Sequence, residues 1–178
     1  MRLAAARVIL LSGARRREIG QLFARTAAAF GCPVPSPQAR GVKGLLAEYS
    51  HFTREQAEAA LDGGEDLQSL ERRLFSAALA LGRGYRLRLG VRSFRDAMAA
   101  ARLIYAGLGI DFRGGPDGDV EVRRCAFAAV YTPRVCALVS ALDRGLLAGL
   151  TKGGEMEFRQ RLTEGAPACR AYVTGGRT

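Results

Sequence analysis

Apolar residues recur at every third or fourth position up to about residue 82 and then, from residue 85, at every second position. The first spacing lines one side of a helix, and the second lines one face of a half-buried strand. Separate blocks of the two periods predict an α+β fold. The expected arrangement is a helical N-terminal lobe over 1–82, followed over 83–178 by a mainly antiparallel sheet packed against two helices, the whole forming one compact unit.

Within the first block, Ile19, Leu22, Phe23, Ala27 and Phe30 define the inner face of a helix over 14–30. Gly31 to Pro37 cannot continue it, because three prolines remove donors and clash with a preceding turn. A second helix is expected over 42–52. Thr53-Arg54-Glu55-Gln56 then matches a capping box and predicts a separate short helix that stops at Asp62-Gly63-Gly64. A further helix over 65–81 would bury Leu67, Leu70, Leu74, Ala77 and Leu81.

In the second block Tyr85, Leu87, Leu89 and Val91 alternate with Arg86, Arg88, Gly90 and Arg92, which predicts a strand. Ser93 suits the cap of a helix over 94–106. Strands over 110–112 and 120–131 flank the turn Gly114-Gly115-Pro116-Asp117-Gly118 and read as a hairpin. Thr132-Pro133 starts one helix running to Leu150. Alternation over 156–163 and 169–173 predicts a terminal antiparallel hairpin. No internal repeat or low-complexity tract interrupts the 178 residues.

With 48% hydrophobic and 25% charged residues, the chain belongs with globular proteins and not with disordered ones. The formal charge of +10 invites a nucleic-acid partner, but the arginines are dispersed and the one compact cluster is Arg15-Arg16-Arg17. No zinc-finger spacing or RNA-binding aromatic pattern accompanies them, so nucleic acid is not the expected partner. Arg7 interrupts the apolar run of residues 1–11, which argues against a signal peptide, and no stretch approaches the roughly 18 apolar residues of a membrane span. A cytoplasmic location without a membrane partner follows. The helical lobe is expected either to cap a pocket or to form a homodimer interface.

Four cysteines, Cys32, Cys125, Cys136 and Cys169, are widely spaced, and in a reducing compartment they do not predict a disulfide framework. Cys136 falls in the second turn of the helix that opens at Thr132, where the dipole favours a thiolate and hence a nucleophile. Cys136, Ser140 and Asp143 follow at i, i+4 and i+7, a polar stripe beside the apolar face that can line a pocket. If Cys125 and Cys169 lie on strands under this helix, three sulfurs converge, and Glu121, Glu157 or Asp143 could complete a tetrahedral zinc site. The alternative is a set of separate buried thiols. His51 is the only histidine, and Glu48-Tyr49-Ser50-His51 has no second copy with which to build a di-iron site. Phosphate-cradling glycine loops are absent.

The segments Arg124-Cys125-Ala126-Phe127, Tyr131-Thr132-Pro133-Arg134-Val135-Cys136, Ser140-Ala141-Leu142-Asp143 and Phe158 through Arg170 resemble two related groups. These are the L-2-amino-thiazoline-4-carboxylic acid hydrolase-like proteins and the 4-vinyl reductase-type small-molecule-binding domains, and the resemblance covers about the last third of the chain. It implies a mixed sheet domain with a ligand cavity. The first group implies ring-opening hydrolysis of a cyclic amidine. The second implies sensing of an organic ligand, in some members with zinc held by cysteines and a carboxylate. By position, the resemblance implies Cys125, Cys136, Asp143 and Cys169 as functional residues. The expected catalytic residues are Cys136 and Asp143, the expected ligand contacts Tyr131, Ser140 and Arg170, and the expected metal ligands Cys125, Cys136 and Cys169.

Overall fold

The computed structural model describes residues 12–175; the 1–11 segment read above lies outside the described residues. Helix α1 (Ser12–Phe30) buries Ile19, Phe23, Thr26 and Ala27, the inner face that its spacing predicts. It ends at Gly31, whose φ of 72° is left-handed and so favours glycine. The proline-rich segment that follows has no regular structure and is tied down by Glu48, whose carboxylate accepts the amides of Gln38 and Ala39.

Helix α2 (Val42–Asp62) is continuous, so the expected break at Thr53 is not there. Thr53 is fully buried, and its hydroxyl donates back to the Tyr49 carbonyl at 2.9 Å. A threonine inside a helix can satisfy itself this way and need not start a new one. Asp66 caps helix α3 (Leu67–Leu89), accepting from the amides of Gln68 and Ser69.

Helix α3 replaces the strand expected at 85–91. Tyr85 and Leu89 continue the stripe of Leu74, Ala78 and Leu81, whereas Leu87, inward in a strand reading, is 79% exposed. The helix stops at Gly90, left-handed at φ 63°, whose amide bonds back to the carbonyls of Arg86 and Leu87. Helix α4 (Phe94–Gly107) opens with a complete capping box between Ser93 and Asp96, as its sequence predicts, and buries Ala97, Met98, Ala101, Ile104 and Tyr105.

Strands β1 (Phe112–Gly114) and β2 (Asp119–Val122) form the expected hairpin. The second strand is much shorter than 120–131. Its neighbours run out together: Val122 pairs with Phe112 on one side and with Cys169, the first residue of β4, on the other. Residues 125–130 turn instead.

Thr132 caps helix α5 (Pro133–Val139), accepting from the Val135 amide at 3.3 Å. The single helix expected to run to Leu150 is divided at Ser140, and helix α6 (Ala141–Thr151) follows. Ser140 Oγ donates to the Ala137 carbonyl at 2.6 Å, the kind of back-bonding that bends helices. Strands β3 (Met156–Gln160) and β4 (Cys169–Val173) pair antiparallel, with a short 3-10 turn at Leu162–Glu164 between them.

The four strands make one antiparallel sheet in the order β1-β2-β4-β3. Its inner face, including Phe112, Val120, Val122, Met156, Ala171 and Val173, joins side chains of α3, α4 and α6 in the largest core cluster. The α+β architecture is therefore the one that the two hydrophobic periods predict. Helices α3 and α6 pack with almost no side chain between them: an added Cβ would stand 2.2 Å from the Leu146 carbonyl oxygen at Gly82, 2.2 Å from the Phe75 carbonyl oxygen at Gly145, and 2.6 Å from that of Leu79 at Gly149. Among the described residues, no helix is long and apolar enough to cross a membrane.

Candidate functional site

Between the helices and the inner end of the sheet lies a cavity of about 120 Å³. Its wall is built by every layer of the fold: Leu22 and Thr26 of α1, Tyr49 of α2, Ala78 and Leu81 of α3, Tyr105 of α4, the 125–131 turn, and the α5–α6 bend. The lining is mainly hydrocarbon and aromatic ring. Pockets with a few placed polar groups in apolar walls are the usual form of a small-molecule site.

Six of the residues singled out by sequence line this one cavity: Cys125, Tyr131, Cys136, Ser140, Asp143 and Cys169. The i, i+4, i+7 stripe survives the bend at Ser140, so Cys136, Ser140 and Asp143 share a wall. Arg170 is not among them. Strand β4 sends Cys169 inward, so its neighbour faces outward, where Arg170 pairs with Glu121 at 3.0 Å. Glu121 also binds Arg123, Glu157 is exposed, and His51 is exposed on α2; none of the three lines the cavity.

The sulfurs do not behave as sequence reading expects. Burial pushes the Cys136 thiol up, with the Asp143 charge acting in the same direction, while Thr163 and Arg161 oppose. Burial is the largest of these influences, so the expected thiolate is not favoured. Burial drives Cys125 up to about 12 and also raises Cys169. Cys169 Sγ accepts the Leu162 amide at 3.3 Å, and Cys125 is held by the amides of Phe127 and Ala128, so both sulfurs help to fix turns.

No group of three His, Cys, Asp or Glu side chains among the described residues is placed to hold a metal ion. The cysteines sit on a turn, a helix and a strand around the wall and do not converge on one tetrahedron. The residues present therefore do not fit the zinc site that the cysteine count and the resemblance imply.

Asp143 is the charge at the centre. Tyr105 donates to its Oδ1 at 2.8 Å, the one hydrogen bond it accepts among the described residues. Burial raises its carboxyl to about 6, against the lowering influence of Tyr105, Arg161 and Arg144. Neither arginine pairs with it: Arg144 binds Glu71 at 2.8 Å, and Arg161 lies 3.6 Å from Glu164 and donates to Ser140 Oγ at 3.4 Å. Its field is felt around the wall, raising Tyr49, Tyr105, Tyr131 and all three cavity thiols.

The aromatic lining was only partly visible in sequence. Tyr105 reads there as a core residue, yet a tyrosine in a core stripe requires a partner for its hydroxyl, and here the partner is Asp143. The Tyr49 and Tyr131 hydroxyls are hydrogen-bonded to those of Thr26 and Thr53, respectively. Phe127 lies between them, stacked on Tyr131 at 5.7 Å and edge-on to Tyr49 at 6.0 Å, so the 125–131 turn closes the cavity with rings. Comparison with known protein families and with curated proteins finds no match to this chain.

Proposed function

We propose that this chain is a small-molecule-binding protein and that its ligand occupies the cavity against Asp143. The observation that carries this reading is a half-buried carboxylate facing an apolar space without an ion-pair partner, in a chain that has 27 lysines and arginines to offer one. Burying an unpaired charge is costly, and such groups concentrate at binding and catalytic sites. An apolar cavity of about 150 Å³ accepts benzene; the space here is slightly smaller but only partly enclosed, so it holds most of a small ring compound.

The resemblance to thiazoline-carboxylate hydrolases and to 4-vinyl reductase-type domains supports the same ligand class. Of those two, the ligand-sensing reading is the better supported, because nucleophilic catalysis by Cys136 requires a thiolate that burial disfavours. Hydrolysis in this cavity would fall instead to Asp143 as a general base, its carboxyl lying near the operating pH.

Ethylbenzene tests the binding reading without presuming any polar contact. It is expected to raise the melting temperature of the unmodified protein in a saturable manner, and to have no such effect on an Ala78→Leu variant, whose larger side chain fills the wall. Equal or absent stabilisation of the two proteins would overturn the assignment.

A further inference from the structure

Resting on the binding reading, we infer that the ligand is a small organic cation, an apolar amine, whose charged nitrogen meets Asp143 and whose hydrocarbon fills the ring-lined remainder of the cavity. The argument concerns what is missing around one carboxylate. Asp143 has two oxygens and four lone-pair sites, of which Tyr105 occupies one. The nearest arginines do not donate to it: Arg144 binds Glu71, Arg161 binds Glu164 and Ser140, and the buried Nε of each is without a partner among the described residues. No other side chain among the described residues donates to it. The carboxylate therefore keeps its charge and most of its accepting capacity for whatever enters.

The rest of the wall favours the same ligand. The Tyr49 and Tyr131 hydroxyls are paired with those of Thr26 and Thr53, so a ligand meets mainly their rings. Phe127 adds a third ring, and Tyr105, stacked on Phe112 at 4.7 Å, a fourth. Electron-rich ring faces attract cations, most strongly where water is excluded. An anionic ligand would meet the Asp143 charge and aromatic π clouds, with only the exposed Arg25 on the wall to favour it. A neutral alcohol would gain ordinary hydrogen bonds, to Asp143 or to the Thr163 hydroxyl on the wall, whereas an ammonium gains a charge-assisted one and neutralises the carboxylate.

Three probes of equal size separate these possibilities: benzylamine, protonated at neutral pH, benzyl alcohol and ethylbenzene. Titration calorimetry of the unmodified protein is expected to rank benzylamine at least tenfold above the other two. In Asp143→Asn that preference is expected to vanish while ethylbenzene binding persists. Equal affinity for all three, or a preference that survives in Asp143→Asn, would overturn the cation assignment and leave the cavity reading standing. Failure of all three to bind would overturn both. Should Asp143→Asn not fold, the ranking in the unmodified protein decides alone.

Discussion

At the scale of single residues, the account turns on a carboxylate that costs stability where it stands. An aspartate ordinarily titrates near 3.8, and burial brings Asp143 to about 6 in the folded protein. The folded state thus binds a proton more readily than the unfolded one, so the stability this residue contributes is complete below about pH 4 and is lost as the pH rises through about 6. The displacement corresponds to about 3 kcal/mol. The other groups facing it are Tyr49, Tyr105, Tyr131, Cys125, Cys136 and Cys169, all raised, and the guanidiniums of Arg144 and Arg161. Asp143→Asn is therefore expected to stabilise the ligand-free protein at about pH 7.5 by about 1–3 kcal/mol and to flatten its stability between about pH 4 and 6. Urea unfolding across that range measures both effects, and a variant less stable at every pH would refute the electrostatic reading. The side-chain chemistry was legible in part. The stripe Cys136, Ser140, Asp143 identifies the wall, but nothing in residue type distinguishes the carboxylate as the perturbed group or reveals that burial overrides the helix start at Cys136.

At the scale of elements, the tightest dependence of fold on sequence is the glycine seam between α3 and α6. Gly145 and Gly149 are four apart on one face and meet the α3 backbone around Gly82, so any side chain there must push the helices apart. Gly149→Ala is expected to cost about 1–3 kcal/mol or more. Gly84→Ala, in the same helix α3 with nothing within 4 Å of an added Cβ, is expected to be neutral or to stabilise by up to about 1 kcal/mol. Thermal melts of the two variants compare them directly, and equal effects would show that the seam is not close-packed. The same glycines explain the main misreading of sequence. Gly82 and Gly84 look like the end of a helix, and the alternation after them looks like a strand, yet Gly82 is small because another helix lies against it. Tyr85 and Leu89 satisfy both periods, and Leu87 decides between them only once its exposure is known. Caps were the most readable features: Ser93 with Asp96 and Thr132 with Pro133 stand where local chemistry puts them. Strand ends were not, because β2 stops where its partners stop, a fact held in residues about fifty positions away.

At the scale of the molecule, the fold places a space where its helices meet one end of its sheet, and each layer contributes to the wall. Sequence reading gives the α+β order and one wall of the site, the stripe from Cys136 to Asp143. It cannot give the opposite wall, because Leu22, Tyr49 and Tyr105 belong to helices whose inward faces look like ordinary core. It also places Arg170 with the ligand, whereas strand alternation turns that residue to the outer face. The claim on which all of this depends is that this partly enclosed space receives a small molecule. Intermolecular nuclear Overhauser effects between bound benzylamine and the protein test it most directly. The account predicts contacts from the ligand ring to the methyl groups of Leu81, Val139 and Leu146 and to the Tyr105 ring, all on the cavity wall. Contacts confined to surface residues such as Leu87 or Tyr172, or none at saturating ligand, would contradict it.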